Sequence, residues 1–126
     1  MTVWLTAAAV SGFLSVTIGA FAAHGLEGRL AAEALDWMAT GLRYQMLHVG
    51  GLLAVALLTI RRPARSLRLA GTGFLLGTLV FSGLLYVMAL TGVRWLGMIV
   101  PIGGVGFLIG WAALAYYAIS ERERGT

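Results

Sequence analysis

Four long stretches of the chain contain no Asp, Glu, Lys or Arg, and this feature limits the possible folds more than any other. The stretches cover about 3–23, 44–60, 69–90 and 95–119. About 20 helical residues cross a bilayer core, so three stretches are long enough, and 44–60 needs residues from the preceding segment. Only 11% of the residues are charged, against about 25% in soluble domains. The sequence therefore predicts an all-α fold, an integral membrane four-helix bundle, in a single domain over 1–126.

The residue types and motifs that the chain lacks exclude several classes of function. It has no cysteine, which excludes disulfides, thiolate metal sites and cysteine nucleophiles. It has no nucleophile–base pair, HExxH-like helix or glycine-rich phosphate loop, so we expect no enzyme activity and no cofactor. The net charge of +4 is not accompanied by a basic, aromatic-bearing soluble surface, so we expect no nucleic-acid partner. The start, MTVW, lacks the basic residues of a signal peptide, so the first stretch is interpreted as a span.

Arginine supplies all the positive charge and is unevenly divided between the two ends of the predicted bundle. With four spans, the termini and the middle loop share one side, which carries Arg61, Arg62, Arg65, Arg68, Arg122 and Arg124. The other side carries Arg29, Arg43 and Arg94. Because cytoplasmic segments hold the excess of positive residues, we predict a multi-pass protein of the bacterial cytoplasmic (inner) membrane with both termini cytoplasmic. The lipid bilayer is the expected partner, and the middle loop, 61–68, is predicted to bind anionic lipids through its four arginines.

The segment between the first two stretches predicts a short amphipathic interfacial helix between helices one and two. In residues 30–44, apolar and polar side chains fall on opposite helical faces. Trp37 suits the boundary between headgroups and hydrocarbon, because its ring is apolar and its N–H stays hydrated. We expect the segment to lie on the outer membrane surface before the chain turns into the second span. Two interpretations stay open: a plain interfacial helix, and a cap over a site at the outer mouth of the bundle.

Small residues recur at fourfold spacing in three of the predicted spans. They are Ser15 and Gly19, Gly73 and Gly77, and Gly106 and Gly110. In lipid, small side chains let helix backbones approach closely, so these positions are predicted packing seams. Surplus seams would suit a homo-oligomer or a partner within a membrane complex. In the fourth stretch, Pro101, Gly103 and Gly104 predict a helix kink, because proline frees a carbonyl group and glycine weakens the next turn.

Polar side chains around the predicted outer ends of the first three spans suggest a cluster near the outer mouth of the bundle. They are His24, Tyr44, Gln45, His48, Ser82 and Tyr86. Three interpretations stay open: a structural hydrogen-bond cluster, a ligand or proton site, and a two-histidine metal or haem site, with Glu27 completing a zinc site. We expect no metal. For His24 we predict a structural clamp, hydrogen-bonded to helix two or to the amphipathic segment, because the end of a span leaves carbonyl groups without helical partners.

Four segments resemble motifs of a known family. They are GAFAAHGL (19–26), RYQMLH (43–48), FSGLLYVMALTG (81–92) and LGMIVPIGGVGFLIGW (96–111). They resemble, in the same order, the YgdD/YwdK-like family of small bacterial inner-membrane proteins, which is grouped as a domain of unknown function. The mitochondrial transmembrane protein 256 resembles this family too. The resemblance covers nearly the whole chain and implies four membrane helices with no assigned activity.

These observations predict a multi-pass membrane protein that is not an enzyme and acts as a structural, accessory or lipid-associated membrane component. The alternative is a small oligomeric transporter or channel with a polar site near His24 and His48. A water-filled cavity that reaches past His48 would favour the transporter. A dry, close-packed interior would favour the structural function.

Overall fold

Four helices of membrane-spanning length make up the protein, as seen in a computed structural model that describes residues 2–26 and 28–125. The first two spans are α1 (Thr2–His24) and α2 (Ala32–Arg61). Each is long and apolar enough to cross a membrane. The predicted all-α membrane helical bundle is confirmed.

The third and fourth spans are each built from more than one helical segment. In the third, α3 (Arg65–Gly77) continues through a π-helical turn (Thr78–Ser82) into α4 (Gly83–Thr91). In the fourth, a 3-10 turn (Arg94–Met98) precedes α5 (Val100–Arg124). The π-helical turn has no counterpart in the prediction, which treated the third span as one regular helix.

The spans pack as two pairs, α1 with α2 and the third span with α5, and α2 also contacts the third span. The α3–α5 contact is closest at glycines. A Cβ atom added to Gly73 would lie 2.6 Å from the Gly106 carbonyl oxygen, and one added to Gly77 would lie 2.9 Å from the Gly103 carbonyl oxygen. Backbone therefore meets backbone along this contact, as small residues allow in lipid, and the Phe107 ring also lies against Gly77, 2.5 Å from the added Cβ.

Side chains fill the α1–α2 contact and the rest of the bundle interior. Ser15 is buried on α1, and a Cβ added to Gly19 would lie 3.1 Å from a terminal carbon of Leu42 on α2. On α5, a Cβ added to Gly110 would lie 2.7 Å from the Phe74 ring. Gly110 thus leaves room both for this ring and for the α3 backbone, since the same Cβ would lie 3.1 Å from the Ala70 carbonyl oxygen.

The amphipathic segment 30–44 differs from the prediction, because most of it forms the first turns of α2 rather than a separate interfacial helix. Met38 is buried in one cluster with Leu26 and Ala89, and Trp37 packs against that cluster. The apolar face of the segment is therefore covered by protein, whereas an interfacial helix would bury it in the membrane surface.

Pro101 lies in the first turn of α5 and not in its interior, which corrects the predicted kink. The third span ends at Gly92, whose φ of 73° is left-handed, and the 3-10 turn follows before α5 begins. Proline is favoured in a first helical turn, because its missing N–H needs no partner there and its φ is preset. Gly103 packs against the Phe81 backbone nitrogen, and Gly104 lies beside the Phe81 ring.

Candidate functional site

The polar cluster lies at mid-depth in the bundle and not at its outer mouth. Gln45 and His48 stand near the centre of α2, and Ser82 ends the π-helical turn in the middle of the third span. The predicted depth was wrong because it was counted from Tyr44 as the start of the span. The helix begins at Ala32, about three turns earlier.

Gln45 links three helices through both ends of its side-chain amide. Its Nε2 atom donates to the Ser11 carbonyl oxygen at 3.1 Å and to the Ser11 hydroxyl oxygen at 3.2 Å. Its Oε1 atom accepts a hydrogen bond from the Tyr86 hydroxyl at 2.6 Å. Gln45 is only 4% exposed, so these bonds supply the partners that a buried amide needs. The amide thereby fixes α2 against both α1 and α4.

The π-helical turn brings a second hydroxyl group onto α2. Ser82 donates through its hydroxyl to the Gly41 carbonyl oxygen at 2.6 Å. Gly41 has no side chain, which leaves room for the Tyr86 ring. A Cβ atom added at this position would lie 2.8 Å from that ring. Turns of this kind often mark functional sites, and here the turn carries a hydrogen bond between helices.

Both ring nitrogens of His48 are hydrogen-bonded inside the bundle. Nδ1 lies 2.6 Å from the Tyr44 carbonyl oxygen, which only accepts, so Nδ1 carries the proton. Trp111 donates through its indole N–H to Nε2 at 3.0 Å, so Nε2 presents a lone pair. His48 is therefore a neutral imidazole in one defined tautomer. A metal ion could reach Nε2 only by displacing Trp111.

Aromatic rings surround the imidazole of His48. The Phe107 ring is stacked on it, with the centroids 3.6 Å apart and 7° between the planes, and the Phe74 and Trp111 rings are tilted against it. Sequence reasoning missed these three neighbours. A signal existed for Trp111, because it stands in the middle of an apolar stretch, away from the interface where tryptophan is enriched.

His24 does not join the cluster, which corrects both its place in the predicted site and its predicted role as a clamp. It is exposed at the end of α1, and lies about 20 Å along the helix axis from Ser11. Backbone groups satisfy the helix end instead, since the Gly25 and Leu26 N–H groups donate to the Phe21 carbonyl oxygen at 2.6 and 3.1 Å. Among the described residues, none is hydrogen-bonded to the His24 imidazole.

The metal interpretation of the cluster finds no set of ligands in the structure. Within residues 2–26 and 28–125, no three His, Asp or Glu side chains come together in a way that could hold a metal ion. Glu27, which the zinc alternative required, lies outside the described residues. The two histidines of the predicted pair are separated, because His24 ends α1 and His48 is buried at mid-depth.

Two grooves reach the cluster from the outer surface of the bundle. One, of about 160 Å³, lies between α1 and the third span and reaches Gln45, Ser82 and Tyr86. The other, of about 410 Å³, lies between α2 and α5 and reaches His48 and Trp111. Exposed leucines border both grooves, so they face the region that lipid chains occupy in a membrane.

An ion pair outside the cluster lies at the end of the bundle where α2 begins. The Arg94 guanidinium donates two hydrogen bonds to the Glu33 carboxylate, at 2.8 and 2.5 Å. It also lies 5.4 Å from the centroid of the Trp37 ring, in cation–π geometry. The pair ties the start of α2 to the 3-10 turn that precedes α5.

Comparison with known proteins gives one consistent family. Residues 18–104 match the family described as protein of unknown function (DUF423). A UPF0382 membrane protein of Haemophilus influenzae is 50% identical over 120 residues, which cover 95% of this chain and 96% of that protein. No solved structure matches the chain.

Two further relatives carry the names on which the resemblance was based. The UPF0382 inner membrane protein YgdD of Escherichia coli K12 is 40% identical over 118 residues, which cover 94% of this chain and 90% of that protein. The UPF0382 membrane protein YwdK of Bacillus subtilis is 38% identical over 120 residues, which cover 94% and 98% respectively. The resemblance to YgdD and YwdK is thus confirmed, and the chain belongs to the DUF423 family of membrane proteins.

Proposed function

We propose that the protein is a non-enzymatic structural and lipid-associated component of the bacterial inner membrane. The observation that carries this proposal is the bonding of Gln45, whose amide joins α2 to both α1 and α4. Polar groups without partners are costly in hydrocarbon, so the mid-depth polar groups stabilise one arrangement of the helices. In the described part of the chain, every buried side-chain nitrogen and oxygen has a hydrogen-bond partner.

The buried hydroxyl groups support a protein without a catalytic step. Ser15 donates to the Ser11 carbonyl oxygen at 2.8 Å, and Ser82 donates to the Gly41 carbonyl oxygen at 2.6 Å. A nucleophilic hydroxyl needs an adjacent group that takes up its proton. A peptide carbonyl does not serve as such a base, so these hydroxyl groups act as contacts between turns and helices.

The proposed orientation has both termini in the cytoplasm. The end of the bundle where α2 passes into α3 carries most of the arginines, and the opposite end carries fewer. Positive residues are retained on the cytoplasmic side during insertion. A reporter enzyme fused after the last residue should be active in its cytoplasmic form only. A periplasmic signal from this fusion would overturn the orientation.

Thiol labelling tests the structural function directly, because the natural chain contains no cysteine. We expect Ser15→Cys and Ser82→Cys to stay unlabelled by a membrane-impermeant thiol reagent in intact membranes, since both positions are buried. Thr91→Cys, exposed at the outer end of the third span, is the matched control and should react. All three should react after denaturation in detergent.

Labelling of Ser82→Cys in the intact membrane would overturn this function and favour the alternative, a small oligomeric transporter or channel. The observation on the side of that alternative is His48, because ionisable residues inside membranes commonly mark solute or proton pathways. A transporter would in addition make reconstituted vesicles permeable to a solute or to protons. His48→Gln should then abolish that permeability.

A further inference from the structure

We infer that the arginine-rich end of the bundle binds one anionic phospholipid, with the headgroup phosphate held by Arg65 and Arg68 and an acyl chain lying between α3 and α5. This inference rests on the proposed lipid-associated function and specifies it.

A cavity opens at this end of the bundle between the start of α1, the end of α2 and the start of α3. Its volume is about 480 Å³, and Val3, Trp4 and Pro63 give it an apolar floor. Arg65 and Arg68 also line it. The cavity therefore combines a hydrophobic surface with cationic side chains at one end of the spans, where lipid headgroups lie.

Arg65 and Arg68 have no acidic partner within the described chain. The three ion pairs of the described residues use other arginines, and Arg62 lies 3.6 Å from Glu121. The two free guanidinium groups are one turn apart on α3 and line the same cavity. Guanidinium groups bind phosphate oxygens with charge-assisted hydrogen bonds, so a phosphodiester supplies the charge that this cavity lacks.

The surface beside the cavity favours a phospholipid over a free phosphate ion. Arg65 also borders a groove of about 490 Å³ between α3 and α5, whose walls include Leu69, Ile109, Ala112 and Tyr116. The groove runs from Arg65 towards the centre of the bundle along apolar side chains. A free phosphate ion gains nothing from this groove, whereas a phospholipid has an acyl chain to place in it.

Native mass spectrometry of the full-length protein in detergent tests the site. The probes are phosphatidylglycerol and phosphatidylcholine with the same acyl chains. We expect the parent to retain one phosphatidylglycerol and to bind phosphatidylcholine more weakly. The double variant Arg65→Gln/Arg68→Gln should bind phosphatidylglycerol about 25-fold more weakly, since each arginine near an anionic lipid contributes a factor of about five.

The matched control is Arg61→Gln/Arg122→Gln, which removes the same charge from the same end of the bundle. Neither Arg61 nor Arg122 lines the cavity, so this variant should bind phosphatidylglycerol like the parent. An equal loss in both double variants would overturn the site in favour of a general charge effect. Unchanged binding by Arg65→Gln/Arg68→Gln would overturn it outright.

Two further measurements separate the lipid from the free ion. Ala112→Trp fills the groove at an exposed position and should weaken phosphatidylglycerol binding. No change would overturn the acyl-chain placement. Millimolar inorganic phosphate should leave the lipid bound, and displacement by phosphate would overturn the choice of a phospholipid. None of these failures alters the expected labelling of Ser82→Cys, so the site can fail while the proposed function stands.

Discussion

The two helix pairs of the bundle are held together by different kinds of atoms. Between α3 and α5, glycines bring backbone against backbone, as at Gly73 and Gly106. Between α1 and α2, side chains make the contact, with Gln45 bonded to Ser11 and Gly19 facing the end of Leu42. Water does not drive helices together inside a membrane. One pair therefore depends on close van der Waals packing, and the other on hydrogen bonds and adaptable side chains.

The largest effect is expected when one methyl group is added to a glycine of the α3–α5 contact. We expect Gly73→Ala to lower the free energy of unfolding by about 3 kcal/mol, because its Cβ would collide with carbonyl and amide atoms that cannot move alone. Gly106→Ala is the matched control, since its Cβ would lie 3.4 Å from the nearest atoms, and it should cost less than about 1 kcal/mol. Unfolding in mixed micelles measures the free energy of unfolding of both variants. Equal losses would contradict the tighter contact at Gly73 than at Gly106.

The hydrogen-bonded pair is tested by removing its central amide. We expect Gln45→Leu to lower the unfolding free energy by about 2 kcal/mol, because it removes the bonds to Ser11 on α1 and leaves the Tyr86 hydroxyl without its partner. Ser11→Ala should cost less in the Gln45→Leu background than in the parent, because the Ser11 hydroxyl accepts from the Gln45 amide, and a double-mutant cycle measures this difference. Additive losses would mean that the two side chains are not coupled.

A large side chain at Gly19 should be tolerated better than a methyl group at Gly73. We expect Gly19→Leu to cost about 1 kcal/mol, because its nearest neighbour is the movable end of Leu42 and a groove of about 290 Å³ adjoins both residues. From sequence, Gly19 and Gly73 are both predicted packing seams where backbones approach closely. A loss as large as that of Gly73→Ala would show that the α1–α2 contact is equally rigid.

The smallest effect is expected at His24. Because its side chain is exposed, His24→Ala should change the unfolding free energy by less than about 0.5 kcal/mol. His48→Ala is the matched control and should cost about 2 kcal/mol, since it leaves the Trp111 indole N–H without a partner. Equal stability of the two variants would contradict a buried His48 and an exposed His24.

The sequence was sufficient for the number and type of the spans, because an uncharged apolar stretch as long as a membrane is thick is typical of a membrane-spanning helix. It misplaced the cluster because the polar residues before Tyr44 were taken as the end of the membrane segment. In the structure the helix simply extends outward, and Arg94 pairs with Glu33 at its start. A hydropathy pattern locates the uncharged part of a span, but the helix can continue into the charged residues beside it.

The details of the site depended on contacts between residues far apart in sequence. The π-helical turn at Thr78–Ser82 has the sequence TLVFS, which contains neither proline nor glycine to indicate it. The partner of Gln45 on the third span is Tyr86, and the stacking partner of His48 is Phe107 on α5. Single-helix spacing cannot reveal such pairs, because it describes one face at a time.

The hydrogen bonds of His48 have a consequence for the electrical behaviour of the membrane. A proton hops through a protein along groups that each accept one proton and release another. Neither neighbour of His48 does both, since the Tyr44 carbonyl has no proton to release and the Trp111 indole nitrogen has no lone pair to accept one. The imidazole is therefore a dead end for proton hopping in this arrangement, and we expect the protein to conduct no protons through His48.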